Sequence, residues 1–271
     1  MVNPIPLILA VETSSRIGSV ALALGPEILG AETFSASLRH SAEIFPTIGV
    51  LLDRSGYTAT DISQVHIGLG PGSFTGLRIA VTVAKSMHLA NSVGIVTVNS
   101  LDTIAANVKD AATEPTIHND QPDRPAPCRL TTVLDAKRGQ FYTAVYERTA
   151  SGADPRGREA PSDAPGYRIP AAGGGFWRKI VDDCLMSASE FVSRFGAGRE
   201  PMDLVGDGLL YHRDAFECAG VRILDEAYWS PHAAGVHSLG YQKCERGLYA
   251  DPLGLTPLYL RGPQVTLRKA P

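Results

Sequence analysis

Several things are missing from this sequence, and each absence removes a class of protein. Its four cysteines, Cys128, Cys184, Cys218 and Cys244, form no CxxC pair and no zinc-ligand spacing, so neither a disulfide scaffold nor a zinc module is expected. Free thiols fit a reducing compartment. No apolar run approaches the roughly 18 residues of a membrane span. The run from Ile5 to Val11 stops at Glu12 and is too short for a secretory signal, so the expectation is a soluble cytoplasmic chain without membrane contact. No Gly-Lys dipeptide occurs, which excludes a Walker A loop, and neither HExxH nor GxSxG is present. The seven histidines are scattered, so no metal site and no catalytic residue is expected. A strong excess of one charge is also lacking: 25 basic residues face 28 acidic ones, for a net charge of −3. That balance argues against a broad nucleic-acid-binding face while leaving room for local basic patches.

What is present is an ordinary globular composition in 271 residues, enough for two small domains. Leu7 to Val11 reads as a strand buried on both faces, followed by turn chemistry at residues 13–18 and a return strand over 19–24. Strands are predicted at 28–33, 64–69 and 93–98, and helices at 41–54, 77–90 and from a Ser100 cap through 108. Alternating strands and helices of this kind mark an α/β fold. Residues 110–129 read as a linker and 149–175 as a mobile polar excursion. Between them lie a strand at 130–135, a turn at 136–139 and a return strand at 140–146. A helix from a Ser187 cap through 195, strands at 203–205 and 221–224, a helix at 232–246 and a basic tail complete the reading. The domain division expected is 1–109 and 110–271.

Two features bear on function. The pattern of strand, acid, polar turn and return strand occurs twice, at Val11-Glu12-Thr13 and at Leu134-Asp135-Ala136, once near the start of each half. It fits either two unrelated hairpins or a duplicated domain whose turns face a central cleft and hold phosphate through backbone N–H groups. The Gly70-Pro71-Gly72-Ser73-Phe74-Thr75-Gly76 loop, between a strand and a helix, is either an anion-binding turn or a tight turn whose glycines allow close packing. The two first-half helices carry more apolar residues than one buried stripe uses. On 77–90, Ile79, Val83 and Met87 lie apart from Leu77, Ala80, Val81 and Ala84; on 41–54, Phe45 and Val50 lie beyond the main stripe. The surplus meets either the chain's own core or a partner, and a partner face is the reading adopted.

The segments Ile8-Leu9-Ala10-Val11-Glu12-Thr13-Ser14, His40-Ser41-Ala42-Glu43-Ile44-Phe45-Pro46, GPGSFTGLR over 70–78, Asp135-Ala136-Lys137-Arg138-Gly139-Gln140 and Pro257-Leu258-Tyr259-Leu260-Arg261 together resemble the TsaB (YeaZ) family. The resemblance implies an α/β, two-lobed, actin-like ATPase (ASKHA) fold with duplicated lobes. It further implies a non-catalytic scaffold and activator in synthesis of tRNA N6-threonylcarbamoyladenosine, one that binds the catalytic subunit TsaD and helps recruit the ATPase TsaE. TsaD-type proteins hold a metal through a pair of helix histidines that this sequence lacks, and the glycoprotease label once given to family members has no support here. Glu12 stands where many members carry Asp. The expected partner interface comprises Phe45, Ile48, Leu52, Ile79, Val83 and Met87, which also pair two copies into a homodimer when TsaD is absent. The expected nucleotide or anion cleft comprises Glu12, Thr13, Gly72, Ser73, Thr75, Asp135, Gly206 and Gly208, with no cofactor required and nucleotide binding at most weak. Contact of tRNA with Arg261, Arg268 or Lys269 is at most auxiliary. The alternative is an ATP-binding phosphotransferase of the sugar-kinase class, with Asp135 or Asp207 as general base.

Overall fold

A computed structural model describes residues 5–35, 39–108, 128–149, 166–171, 174–196 and 200–261. The linker at 110–127, residues 150–165 of the polar excursion, and Arg268 and Lys269 of the tail lie outside the described residues.

Two sheets organise the chain. The first has the order β3-β2-β1-β4-β5, with β1 Leu7–Glu12, β2 Ser19–Leu24, β3 Glu27–Thr33, β4 Ile62–Gly70 and β5 Gly94–Asn99. The second has the order β11-β10-β6-β7-β9-β8. Its strands are β6 Arg129–Asp135, β7 Gln140–Thr149, β8 Ile169–Pro170, β9 Phe176–Ser187, β10 Met202–Val205 and β11 Val221–Ile223. In the first sheet β1 runs antiparallel to β2 and parallel to β4, β2 antiparallel to β3, and β4 parallel to β5. The second sheet repeats this with β6 in the place of β1: antiparallel to β7, parallel to β10, then β7 antiparallel to β9 and β10 parallel to β11. Two unrelated hairpins would not bring matching outer strands with matching directions. The lobes are duplicates.

Among the described residues, six α-helices pack on these sheets. Helices α1 (His40–Ser55) and α2 (Phe74–Asn91) cover one face of the first sheet, where Leu7, Leu9, Val11, Val20 and Leu22 meet Ile44, Ile48 and Val83. Ala10 and Ala21, on alternate positions of the same strands, join the other cluster, which holds Ala233, Val236 and Leu239 of α6 (Ala233–Cys244). That explains the unbroken apolar run of β1: both its faces are covered. Helix α3 (Ser100–Asn107) packs chiefly on β6 of the second sheet, whereas α6 packs on β1, β2, β4 and β5 of the first. The 109/110 division therefore separates the sheets, while α3 and α6 each pack across it. Helices α4 (Ala188–Phe195) and α5 (Arg213–Phe216) flank the second sheet. Among the described residues no helix is long and apolar enough to cross a membrane.

Local signals set most boundaries. Ser187 caps α4 in a full capping box with Glu190, as its sequence suggests. Helix α3 is capped by the Asn99 side chain, which accepts from the N–H groups of Leu101 and Asp102, and not by Ser100. Ser73 caps α2, which starts one turn before the predicted 77. Strand β9 is absent from the sequence reading altogether. It alternates correctly, but Lys179 and Asp183 point inward while Ile180 is 41% exposed, reversing the apolar pattern.

Three interface expectations need correction. Ile48, Leu52 and Val83 are 7%, 6% and 3% exposed and belong to the first lobe's core. Ile44, Ile48 and Leu52 recur every fourth residue and form the stripe of α1 that meets the sheet, and Val83 of α2 joins the same cluster. The surplus apolar surface is Phe45, 62% exposed, and Val50, 43% exposed, with Ile79 and Met87 half-buried.

Candidate functional site

The ends of β1, β6 and β10 meet between the lobes and carry three acids. Glu12, at the end of β1, is wholly buried. Its Oε1 accepts the Ser14 N–H at 2.5 Å, its Oε2 has no partner, and a Cβ on Gly68 would come within 2.1 Å of Oε2. Burial, aided by the nearby Asp207 charge, pushes its carboxyl up to about 7. Asp207, just past β10, is likewise raised to about 6, chiefly by burial, although it accepts the Asp135 N–H at 3.2 Å. Burial also acts on Asp135, but there it is outweighed by Lys137, whose Nζ and N–H donate at 2.5 and 2.7 Å and hold the carboxyl below its ordinary value.

Three N–H groups of the glycine loop and the helix start that follows it are engaged within the chain. Ser14 C=O accepts the Ser73 N–H at 2.7 Å, and Ser73 Oγ accepts the Gly76 N–H at 3.3 Å. Ser73 C=O takes the Leu77 N–H at 2.9 Å, and Thr13 Oγ1 donates to the Gly76 carbonyl at 2.8 Å. A Cβ at Gly72 would lie 2.4 Å from the Ser14 carbonyl oxygen, and one at Gly76 1.8 Å from that of Thr13. The loop's glycines thus serve close packing against the β1–β2 turn. The second lobe does the same. Gly206, at φ 137°, has room for no Cβ beside the Val133 carbonyl oxygen (1.9 Å), and a Cβ on Gly208 would meet the Phe141 ring at 2.8 Å. Of the expected cleft residues, Glu12 and Asp135 therefore meet around Asp207, and Thr13, Gly72 and Ser73 join the loop packing. Gly206 and Gly208 pack on the second sheet. Thr75 instead lines the groove described next.

Helices α1 and α2 leave an apolar groove of about 370 Å³. Phe45 and Phe74 form its rims, Ile44 and Val83 its floor, and Ile79 and Thr82 its α2 wall. The Arg78 guanidinium stacks 3.8 Å from the Phe74 ring, and Arg78 Nε donates to Tyr259 Oη at 3.0 Å. The chain's final described segment is thereby tied to the groove. Leu258 N–H donates to the Leu69 carbonyl at 2.9 Å, and Arg261 reaches the second lobe, donating to the Ala136 carbonyl at 2.9 Å and to Gln140. Phe74 and Tyr259 escaped the sequence reading as site residues because an apolar residue inside a loop motif looks like core. Phe74 begins α2 and Tyr259 lies outside any helix or strand, so their position at the edge of regular structure was the available signal. A larger cavity, about 650 Å³, lies between β3 and α6 and contains none of the expected site residues.

Two duplicated lobes with exchanged helices, and acids at the ends of their central strands, define a protein of the two-lobed actin-like ATPase class. The family model "TsaD: tRNA N6-adenosine threonylcarbamoyltransferase" matches residues 33–163. The chain is 26% identical to the tRNA threonylcarbamoyladenosine biosynthesis protein TsaB of Bacillus subtilis (strain 168), over 94% of this chain and 93% of that protein. It is 31% identical to the TsaB of Escherichia coli (strain K12), over 54% of this chain and 57% of that protein. The solved YeaZ structure from Pseudomonas aeruginosa has the same fold, with a TM-score of 0.67 at 21% identity over 94% of this chain and 100% of that one. Over nearly its whole length the chain is thus similar to proteins of the TsaB (YeaZ) family.

Proposed function

We propose that the chain is a non-catalytic subunit of the machinery that makes N6-threonylcarbamoyladenosine in tRNA. In this reading it pairs with the TsaD subunit through the α1–α2 groove, helps recruit the TsaE ATPase, and pairs with itself when TsaD is absent. Its relatives carry the name of that biosynthesis. The observation that carries the scaffold role is the contrast between the two candidate sites. At the glycine loop the Ser73, Gly76 and Leu77 N–H groups are bonded within the chain, whereas the groove presents Phe45, 62% exposed, beside Phe74 and a stacked arginine. An aromatic pair with arginine is the composition of interface hot spots. Phe45→Glu sits on the surface and should leave the melting temperature unchanged. It should abolish co-purification with the TsaD of the same cell and shift the isolated chain to monomer in light scattering. A variant that still binds TsaD at wild-type affinity would overturn this docking site. Threonylcarbamoyl transfer to tRNA by the chain alone would overturn the non-catalytic role.

A further inference from the structure

The β1–β2 turn, the β6–β7 turn and the segment after β10 converge at the mouth of the interlobe cleft, and their outward groups are cations around an aromatic ring. The Arg16 guanidinium stands 5.0 Å from the centroid of the Tyr211 ring, and Tyr211 is 65% exposed. The Arg16 backbone also bonds to Asp207, which accepts the Asp135 N–H, so the first-lobe turn is in register with the second-lobe acids. Lys137 and Arg138 form the tip of the β6–β7 turn, both exposed and both left-handed, at φ 66° and 58°. Asparagine or glycine adopts that conformation more easily, so the tight hairpin turn holds two long cations at a backbone cost. His212 follows Tyr211 and packs edge-on to Phe141, fixing the ring's backbone. The acids lie behind this layer: Glu12 and Asp207 are buried, and Asp135 is bonded to Lys137.

We infer that this mouth is a contact surface for the single-stranded loop of an RNA, with Tyr211 as a stacking platform for a base and Arg16 set to meet a phosphate beside it. Exposed rings interleaved with cations are how proteins hold unpaired nucleotides. A free nucleoside triphosphate fits less well, because the Ser73, Gly76 and Leu77 amides of the glycine loop are bonded within the chain. The net charge of −3 is no obstacle to a patch confined to three turns. The inference rests on the proposed role in tRNA modification and names the part of the substrate this chain would touch. His40, buried at the start of α1, sets its Nε2 3.1 Å from the Ser15 carbonyl oxygen, so the Arg16 turn adjoins the helix that forms the groove. An RNA at the mouth would therefore lie beside a protein docked on α1 and α2.

The test is fluorescence anisotropy of a labelled tRNA anticodon stem-loop titrated with the full chain, alone and together with TsaD, over a series of salt concentrations. Tyr211→Ala should weaken binding by roughly five-fold or more, as loss of one base–aromatic stack does, while Tyr211→Phe keeps wild-type affinity. Arg16→Ala should lower the slope of log K against log salt by about 0.7, the value of one phosphate contact on a single strand. Tyr211 is exposed, and the half-buried Arg16 bonds to Asp207 through its backbone, so unchanged melting temperatures accompany these effects. RNA binding that neither alanine variant alters, or no RNA binding by the wild type in either setting, overturns the inference. So does release of the RNA by stoichiometric ATP–Mg²⁺, which would make the mouth a nucleotide site. Equal binding of a polyglutamate peptide would reduce it to a general anion patch and also overturn it. TsaD association is measured on the same samples. Variants that still bind TsaD but show no RNA effect defeat the inference alone, whereas a wild type that binds RNA but never TsaD defeats the scaffold reading alone.

Discussion

At the scale of single residues, the interlobe acids and glycines carry opposite lessons. Glu12 titrates near 7 when folded against a reference of 4.5, because burial disfavours its charge. Between those values the folded chain binds the proton that the unfolded chain has lost, so stability falls as pH rises through this window. The full difference is of the order of 3 kcal/mol, reached above pH 7. Asp207, raised from 3.8 to about 6, adds a decline of the same sign at lower pH. Glu12→Gln keeps the shape and the acceptor for the Ser14 N–H but cannot ionise. Its melting temperature should exceed that of the wild type at pH 8 and match it near pH 5; a lower value at pH 8 would show that the carboxylate is stabilising there. The glycines answer a different question. Gly76→Ala drives a methyl into the Thr13 carbonyl and should cost about 1–3 kcal/mol, whereas Gly49, inside α1 with nothing within 4 Å of a new Cβ, should gain about 0.5–1 kcal/mol as alanine. Paired denaturant titrations check both. The first result would place the GPGSFTG signature in packing, a role that its sequence alone left level with anion binding.

Among elements, the helix pair shows what a sequence can and cannot reveal. The existence and length of α1 and α2, and a surplus of apolar residues on them, follow from spacing. Spacing also picks out Phe45, Val50, Ile79 and Met87 as surplus, but it does not place Val83, or keep Ile48 and Leu52 out of the interface, because two stripes on one helix look alike until the sheet chooses between them. The sheet takes Ile48, Leu52 and Val83 and leaves Phe45 outward. A carboxylate at position 83 would therefore be buried within the chain's own core at a cost of several kcal/mol. Val83→Glu should unfold the protein or sharply lower its melting temperature, while Phe45→Glu leaves melting intact and changes only assembly. Equal melting for the two variants would refute the packing of α2 described here. Strand β9 marks the other limit of the sequence. Lys179 and Asp183 face inward because acids and tyrosines from α3, β5 and β7 await them, and those partners lie far away in sequence. Period-two alternation holds over 177–183, but with charged residues at two of its inward positions, and it breaks where the register shifts.

For the whole molecule, the question is what fixes one lobe against the other. Arg261 bridges the β6–β7 turn to the segment that packs on the GPGSFTG loop, and Ser19 Oγ accepts the Ala233 N–H at 2.9 Å, joining β2 to α6. Beneath these lies a buried network. Asp102 of α3 accepts from Tyr146 Oη at 2.8 Å and Tyr167 Oη at 2.7 Å, and pairs with Lys179 Nζ at 2.8 Å. Lys179 also pairs with Asp183 at 2.6 Å, and Asp183 accepts from Asn99 at the end of β5. Burial alone would lower the lysine's affinity for its proton, but the two carboxylates outweigh it and hold Lys179 above its ordinary value. Two acids thus share one cation at the seam where first-lobe Asn99 and α3 meet the second sheet. Removing the cation leaves both carboxylates buried without a counter-charge, at about 3–5 kcal/mol. Lys179→Met keeps the length of the stem and should therefore cost that much, with the loss concentrated at the seam. Hydrogen exchange should rise first in α3 and β9, while β1 and β4 of the first sheet keep wild-type protection. Protection lost evenly over both sheets would mean that the network supports general stability and does not join the lobes. If exchange does rise at the seam alone, the chain holds its two lobes together by charge pairing across α3.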